Sequence, residues 1–275
     1  NVFGRISDPQ LALDLLLSID NAQAKELAQE LVRTNKKRRD INQQIREEAV
    51  EMVEKYHKDD PFLVLSGDGW NEGVIGIVAS TLVEIYHKPT IIIAKTYGSA
   101  RTIPEYPLLE PLKACDDLLV RWGGHPMAAG LTVKRKNIGA LRARLNMIAG
   151  KDLPANPKPC FRYDTKLKLK NLGEELLLDL EKLEPFGEGN SLPKFVIEDM
   201  NVARGRVTND GQHIQLSFRQ GKNLNSGVGF WLAPFNDLLI DPSQKFDVLF
   251  FLERGRSGAE QIMVKDIKEV KLNWE

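Results

Sequence analysis

Two short stretches carry residue types that suit phosphate chemistry: Gly98-Ser99-Ala100-Arg101 and, downstream, Trp122-Gly123-Gly124-His125-Pro126-Met127-Ala128-Ala129-Gly130. Adjacent glycines let backbone N–H groups approach an anion, His125 adds a donor, and Ser99 with Arg101 can complete a clamp around a phosphate. A phosphate-bearing ligand is therefore the first expectation. Each residue also has a plainer use. Gly123 and Gly124 can serve a tight loop, and Arg101 a surface ion pair worth ~0–1 kcal/mol. Upstream, Gly73-Val74-Ile75-Gly76 lacks the G-x-G-x-x-G spacing, so its glycines are expected to allow close helix-to-sheet packing, and no dinucleotide cofactor follows. Trp70, at a strand-to-helix turn, is expected to pack on the core.

A second cationic stretch lies at 201–225, where Arg204, Arg206, Arg219 and Lys222 stand against Asp210 alone. A single nucleic-acid strand asks for cations along its backbone path and aromatic faces worth ~1–3 kcal/mol per stacked base. Phe218, Phe230 and Trp231 are available; alternation puts Phe218 in the core and lets only one of Phe230 and Trp231 face outward. Two further basic runs, one at 33–39 and one made of Lys134, Arg135, Lys136, Arg142 and Arg144, suit either a binding path or a solvated helix face. Because 38 Lys and Arg balance 38 Asp and Glu, any nucleic-acid contact has to come from such local patches. The four histidines, His57, His87, His125 and His213, have no carboxylates at ligand spacing, so no metal site is expected within the chain. Cys115 and Cys160 are the only cysteines, which removes zinc ribbons and disulfide frameworks and suits a reducing cytoplasm. No signal peptide or long apolar run is found, so no membrane partner is expected.

These residues must be positioned by two domains, which 275 residues accommodate. Leu27, Leu31, Ile41, Ile45, Ala49 and Met52 fall at helical spacing and predict one long amphipathic connector helix over 24–56. Residues 62–65 and 90–94 read as buried strands around a helix at 73–86, which implies a parallel crossover. Helices at 110–121 and 138–149 and a strand at 128–134 complete an α/β domain. Three prolines within 152–159 mark a boundary. Beyond it, a half-exposed strand at 161–170 and a helix at 172–183 lead into strands at 195–207, 213–218, 227–232, 246–253 and 261–270. With a short helix near 235–239, this order fits a small oligonucleotide-binding barrel; a five-stranded sandwich is the alternative.

Asn1-Val2-Phe3-Gly4-Arg5, Gly69-Trp70, Gly73-Val74-Ile75-Gly76-Ile77-Val78-Ala79-Ser80, the Ser/Arg and Gly-Gly-His stretches, and Pro185-Phe186-Gly187-Glu188-Gly189-Asn190 together resemble the carboxy-terminal half of the RecJ family, single-strand-specific 5′ to 3′ DNA exonucleases. The resemblance runs over nearly the whole chain. Gly-Gly-His with Ser/Arg is common to DHH-associated domains, including those of small-nucleotide phosphodiesterases; the Pro-Phe-Gly-x-Gly-Asn turn entering a β-barrel narrows it to RecJ. The fold implied is an α/β DHH-associated domain (58–152) followed by an all-β OB-fold barrel with its linking strand and helix (153–275). The end of a DHH domain and the long N-terminal connector helix (1–57) come before both. The resemblance implies Ser99, Arg101, Gly123, Gly124, His125 and Arg5 as phosphate-binding residues, with Arg101 on a terminal phosphate and His125, the one catalytic candidate, near the scissile group. It implies Arg204, Arg206, Arg219 and Lys222 as the single-strand path. Helix capping is the other use of Arg5. The sequence departs mildly from the family where Val2-Phe3 replace two small residues and Thr102 replaces a common serine.

Hydrolysis of phosphodiester bonds in DNA repair and recombination, and the divalent metal (Mn or Mg) that serves it, are implied to belong to a DHH half missing from this chain, which starts at Asn1 and contains no Asp-His-His. The chain alone is expected to bind single-stranded DNA weakly and not to cleave it, with a single-strand-binding protein as a further partner and the cytoplasm as its place. Two other readings stand beside this one: a cyclic-dinucleotide or nanoRNA phosphodiesterase, and a non-catalytic single-strand-binding module.

Overall fold

The computed structural model of the chain describes residues 3–153, 161–209, 211–230, 232–255 and 258–269, in two compact units, Asn1–Pro159 and Cys160–Glu275. Asp210, Trp231, Cys160 and most of the proline-rich boundary lie outside the described residues.

The first unit opens with α1 (Phe3–Ile6), α2 (Gln10–Leu17) and α3 (Asn21–Met52). The Asp20 carboxylate accepts from the Ala22 N–H and caps α3, whose apolar stripe buries Ile45 and Ala49. A wider turn, Val53–His57, continues it. Then come β1 (Leu63–Gly67), α4 (Ile75–Tyr86), β2 (Thr90–Ala94), β3 (Tyr97–Arg101), α5 (Leu109–Lys113), β4 (Leu119–His125), β5 (Ala128–Val133) and α6 (Ile138–Asp152). The sheet runs β1-β2-β3-β5-β4. β1 and β2 are parallel across α4, as the strand-helix-strand pattern predicts, and the other neighbours are antiparallel.

Alternation along each strand sorts the side chains onto two faces. Val64, Ile91, Ile93, Ala100, Leu131 and Val133 share a core with Leu141 and Leu145 of α6. Leu63, Leu65, Ile92 and Ala94 point the other way, onto Ile45 and Ala49 of α3 and Ile75, Val78 and Leu82 of α4. Followed across the register, this second face runs out of large aliphatic side chains. β3 presents Tyr97, Ser99 and Arg101 there, β5 presents Ala128, Gly130 and Thr132, and β4 presents Arg121, Gly123 and His125. Half of one face is therefore core and half is open.

The helix expected at 110–121 is not formed. Leu109–Lys113 makes a short helix, Asp116–Leu118 a 3-10 turn, and Leu119 begins β4. Leu112, Cys115, Leu118 and Leu119 mimic a helical stripe, while β4 is an edge strand rich in glycine that lacks the apolar alternation by which strands are recognised. The Gly-Gly pair is accordingly strand, not loop.

In the second unit the linking segment pairs only at β6 (Thr165–Lys166), parallel to the next strand, and then turns at Leu169–Asn171. The expected strand over 161–170 shrinks to this because Leu169 and Leu172 leave the ladder to enter the core. α7 (Glu174–Glu181) follows, tied by Glu174 and Glu181 to a fork from Arg254. β7 (Phe195–Val207), β8 (Ile214–Gln220), β9 (Asn223–Gly229), α8 (Asn236–Leu239), β10 (Phe246–Arg254) and β11 (Glu260–Glu269) complete the unit. β10 pairs with both β11 and β7, and β9 with β11 in parallel, so five strands close into a barrel and not a sandwich. Phe218, Phe246, Phe250, Ile197 and Ile214 fill it.

Candidate functional site

Arg101, at the end of β3, is half-buried. One guanidinium nitrogen, Nη1, donates to Ser99 Oγ at 3.1 Å and to the Ala100 carbonyl at 2.7 Å. The group lies against the first turn of α4: a Cβ on Gly76 would stand 3.1 Å from Arg101 Nη2 and 3.0 Å from Ser99 Oγ. Gly76 thus permits close helix-to-sheet packing, as its sequence context predicts. Arg5 approaches from α1, where Nη1 donates to the Gly73 carbonyl at 3.3 Å. The Arg5 carbonyl in turn lies where any Gly73 side chain would be, 1.8 Å from the Cβ position. Burial, and after it the charge of Arg5, lowers the Arg101 pKa from its usual value. Among the described residues neither arginine has an ion-pair partner. Two cations held together without a carboxylate bound to either make a site that an anion would complete.

Arg5, Arg101, Ser99, Gly73, Gly76 and Gly124 line a concavity of about 510 Å³ here, and Glu72 and Tyr97 line it too. The α4 amides are mostly taken: Asn71 accepts from Gly73 N–H through its side chain and from Val74 and Ile75 N–H through its carbonyl. The field of the site therefore comes from the arginines more than from the helix end. Gly124 must be glycine, because a Cβ would meet the Ala128 carbonyl oxygen at 2.3 Å. Successive residues of a strand send their N–H groups to opposite edges, so Gly123 and Gly124 do not form the convergent donor pair that a loop would give. Gly123 lines a neighbouring trough. His125 is exposed at the hairpin end, in register with Ala128 and so two strands, about 10 Å, across from Arg101.

In the barrel, Arg204, Arg206 and Arg219 are exposed on the outer side of β7 and β8. Arg204 stands opposite Ser217, Arg206 opposite Gln215 and Arg219 opposite Asn201, and none of the three cations has an ion-pair partner among the described residues. Lys222 is exposed in the β8–β9 turn. Phe218 is fully buried, as alternation predicts, whereas Phe230 is 48% exposed and meets His213 edge-on at 5.0 Å between ring centroids.

Residues 59–151 match the DHHA1 domain and residues 163–266 the RecJ OB domain. The chain thus contains a DHHA1 domain followed by a RecJ OB domain. It is similar to the single-stranded-DNA-specific exonuclease RecJ of Bacillus subtilis, 33% identical over 97% of this chain and 35% of that protein. The RecJ of Thermus thermophilus is 31% identical over 80% of this chain and 32% of that protein. The crystal structure of Thermus thermophilus RecJ with Mn2+ superposes with a TM-score of 0.79 and 26% identity, over 98% of this chain and 40% of that one. The chain thus spans about two fifths or less of the RecJ proteins it matches.

Within this RecJ-like frame the structure gathers Arg5, Ser99, Arg101 and Gly124 around one concavity, and sets Gly123 and His125 apart from it. The second basic run is largely engaged in structure: Arg135 pairs with Asp68, Arg142 donates to the Val64 carbonyl, and Arg144 forks onto Asp117. Trp70 is 6% exposed and donates to Glu48 at 2.7 Å, so it ties α3 to the β1–α4 turn and offers no stacking face. Sequence reasoning does not single out Tyr97, Arg121 and Thr132. Tyr97 sits two residues before Ser99 and four before Arg101, and that even spacing is the signal that puts all three on one face.

Proposed function

We propose that this chain is the substrate-holding part of a RecJ-type single-stranded-DNA 5′ to 3′ exonuclease acting in cytoplasmic DNA repair and recombination. The neighbouring cations Arg5 and Arg101, neither of them ion-paired among the described residues, carry this reading. Arg101 presents parallel N–H donors to a strand's terminal phosphate, Ser99 a hydroxyl, and Arg5 a second charge. His125 would stand nearer the next phosphate, the scissile one. The outer barrel face, with Arg204, Arg206, Arg219 and Lys222, follows the backbone without reading sequence. Anchoring one end while tracking one strand accounts for both directionality and single-strand preference.

The Thermus thermophilus RecJ structures are complexes with Mn2+ and Mg2+; such ions supply activated water and charge stabilisation in phosphodiester hydrolysis. Among the described residues no cluster of His, Cys, Asp or Glu fits a metal ion. No hydrolytic step is assigned to this chain, which alone binds and does not cut. A single-strand-binding protein belongs to this reading as a further partner. The RecJ OB match favours this reading over a cyclic-dinucleotide phosphodiesterase, which has no use for a barrel face that follows a strand.

Fluorescence anisotropy of the chain at two salt concentrations tests it, with a labelled 5′-phosphorylated single strand, its 5′-hydroxyl form, its duplex and a cyclic dinucleotide. The expected order is phosphorylated strand tightest, then hydroxyl strand, then duplex, with affinity falling as salt rises. Selective binding of the cyclic dinucleotide would replace the exonuclease reading.

A further inference from the structure

Beside the clamp lies a trough of about 220 Å³, lined by Tyr97, Arg121, Trp122, Gly123, Gly130, Leu131 and Thr132. Register arranges the open face of the sheet into three rows across β3, β5 and β4. The first is Tyr97, Thr132 and Arg121; the second Ser99, Gly130 and Gly123; the third Arg101, Ala128 and His125. Rows two residues apart along a strand stand about 7 Å from each other. The third row therefore ends in the clamp's cation, the first is a ridge of ring and guanidinium, and the second is a groove between them.

The groove is open because of its glycines. A Cβ on Gly123 or on Gly130 would find nothing within 4 Å, so no neighbour in the fold requires glycine at either position. What the two glycines provide is vacant space above the sheet. Tyr97, 40% exposed, lines both this trough and the clamp, as does Gly130. Arg121 is steadied by Thr132, whose Oγ1 accepts from Nε at 3.3 Å, which leaves its outer nitrogens for a ligand. No carboxylate lines the trough.

We infer that this trough, floored by Gly123 and Gly130 and walled by Tyr97 and Arg121, seats the nucleobase of the terminal nucleotide whose phosphate the Arg101 clamp holds. The inference rests on the clamp reading. A flat, uncharged, aromatic group suits a side-chain-free floor beside a tyrosine ring, and a guanidinium edge meets the acceptors that every base carries. The offset of one row from Arg101 matches the step from phosphate to base across a single sugar. With no carboxylate to select base amino groups, the seat accepts any base.

The test compares two 5′-phosphorylated single strands, identical but for an abasic first nucleotide, and their 5′-hydroxyl forms, by anisotropy. The intact strand binds about tenfold more tightly than the abasic one. Gly123→Val, which fills the groove with a side chain that strands accept, removes that difference and keeps the preference for a 5′-phosphate; Tyr97→Ala removes the difference, and Tyr97→Phe keeps it. Equal binding of intact and abasic strands by the unaltered chain would overturn the base seat whatever the phosphate does. Loss of the 5′-phosphate preference alone would overturn the clamp, and the base preference would then stand without it.

Discussion

The clamp and the barrel face are both cationic, and they differ in how their charges are held. Arg101 is half-buried, hydrogen-bonded to Ser99 and Ala100, and pressed against Gly76. Arg204, Arg206 and Arg219 stand exposed on a strand surface with no ion-pair partner among the described residues. A guanidinium already fixed loses little freedom on meeting its ligand, so its contribution is specific and local. Loose cations contribute through counterion release and tolerate many positions of the strand. The first arrangement suits recognition of an end; the second suits contact along a length of chain, as the proposed function asks of each.

The largest effect expected from breaking this contrast is at Arg101. Arg101→Ala removes charge-assisted hydrogen bonds worth about 1.5–3 kcal/mol, so preference for a 5′-phosphorylated strand over its hydroxyl form falls by roughly 10- to 100-fold while affinity for the hydroxyl strand changes little. A retained preference in anisotropy titrations would place end recognition elsewhere. Next comes the double change Arg204→Ala, Arg206→Ala. It weakens all strands alike and lowers the slope of log affinity against log salt by about 1.4, near 0.7 for each phosphate no longer neutralised. An unchanged slope would take these residues off the path. The smallest effect belongs to Gly76→Ala. Its methyl would have to move Ser99 Oγ and the guanidinium by a few tenths of an ångström, so the 5′-phosphate preference drops about threefold by analogy with sub-ångström misplacement of a positioned group, and the salt slope stays as it was. A slope change there would mean that the two regions do not act separately.

The sequence makes the packed parts legible and the open parts obscure. α3, α4, β1, β2 and the barrel strands β7, β8, β10 and β11 announce themselves because burial imposes period on their apolar residues, whereas β9, at Asn223–Gly229, overlaps the strand expected at 227–232 only in its last three residues. β4 carries no such period, since its glycines leave one face without side chains, and its first residues read as the end of a helix. The same absence hides the trough: Gly123 reads from sequence as a backbone donor, whereas the proposed base seat uses the space left by its missing side chain. The pairing of Arg5 with Arg101 spans most of the first unit in sequence, and local spacing has no means to show it. Tyr97 is within reach, because it shares the alternation of Ser99 and Arg101.

The Arg5 carbonyl that rests on Gly73 also ties the clamp to α1, a helix of one turn outside the sheet. α1 has four residues, and a single helical turn opens locally at a lower free-energy cost than unfolding the sheet. Were that turn to open, Arg5 would leave and Arg101 remain, so one cation of the proposed clamp depends on α1 and the other on the sheet. A bound phosphate draws on both arginines and so favours the closed turn by its own binding free energy. Occupancy of the proposed clamp would thereby be reported as protection of the α1 turn.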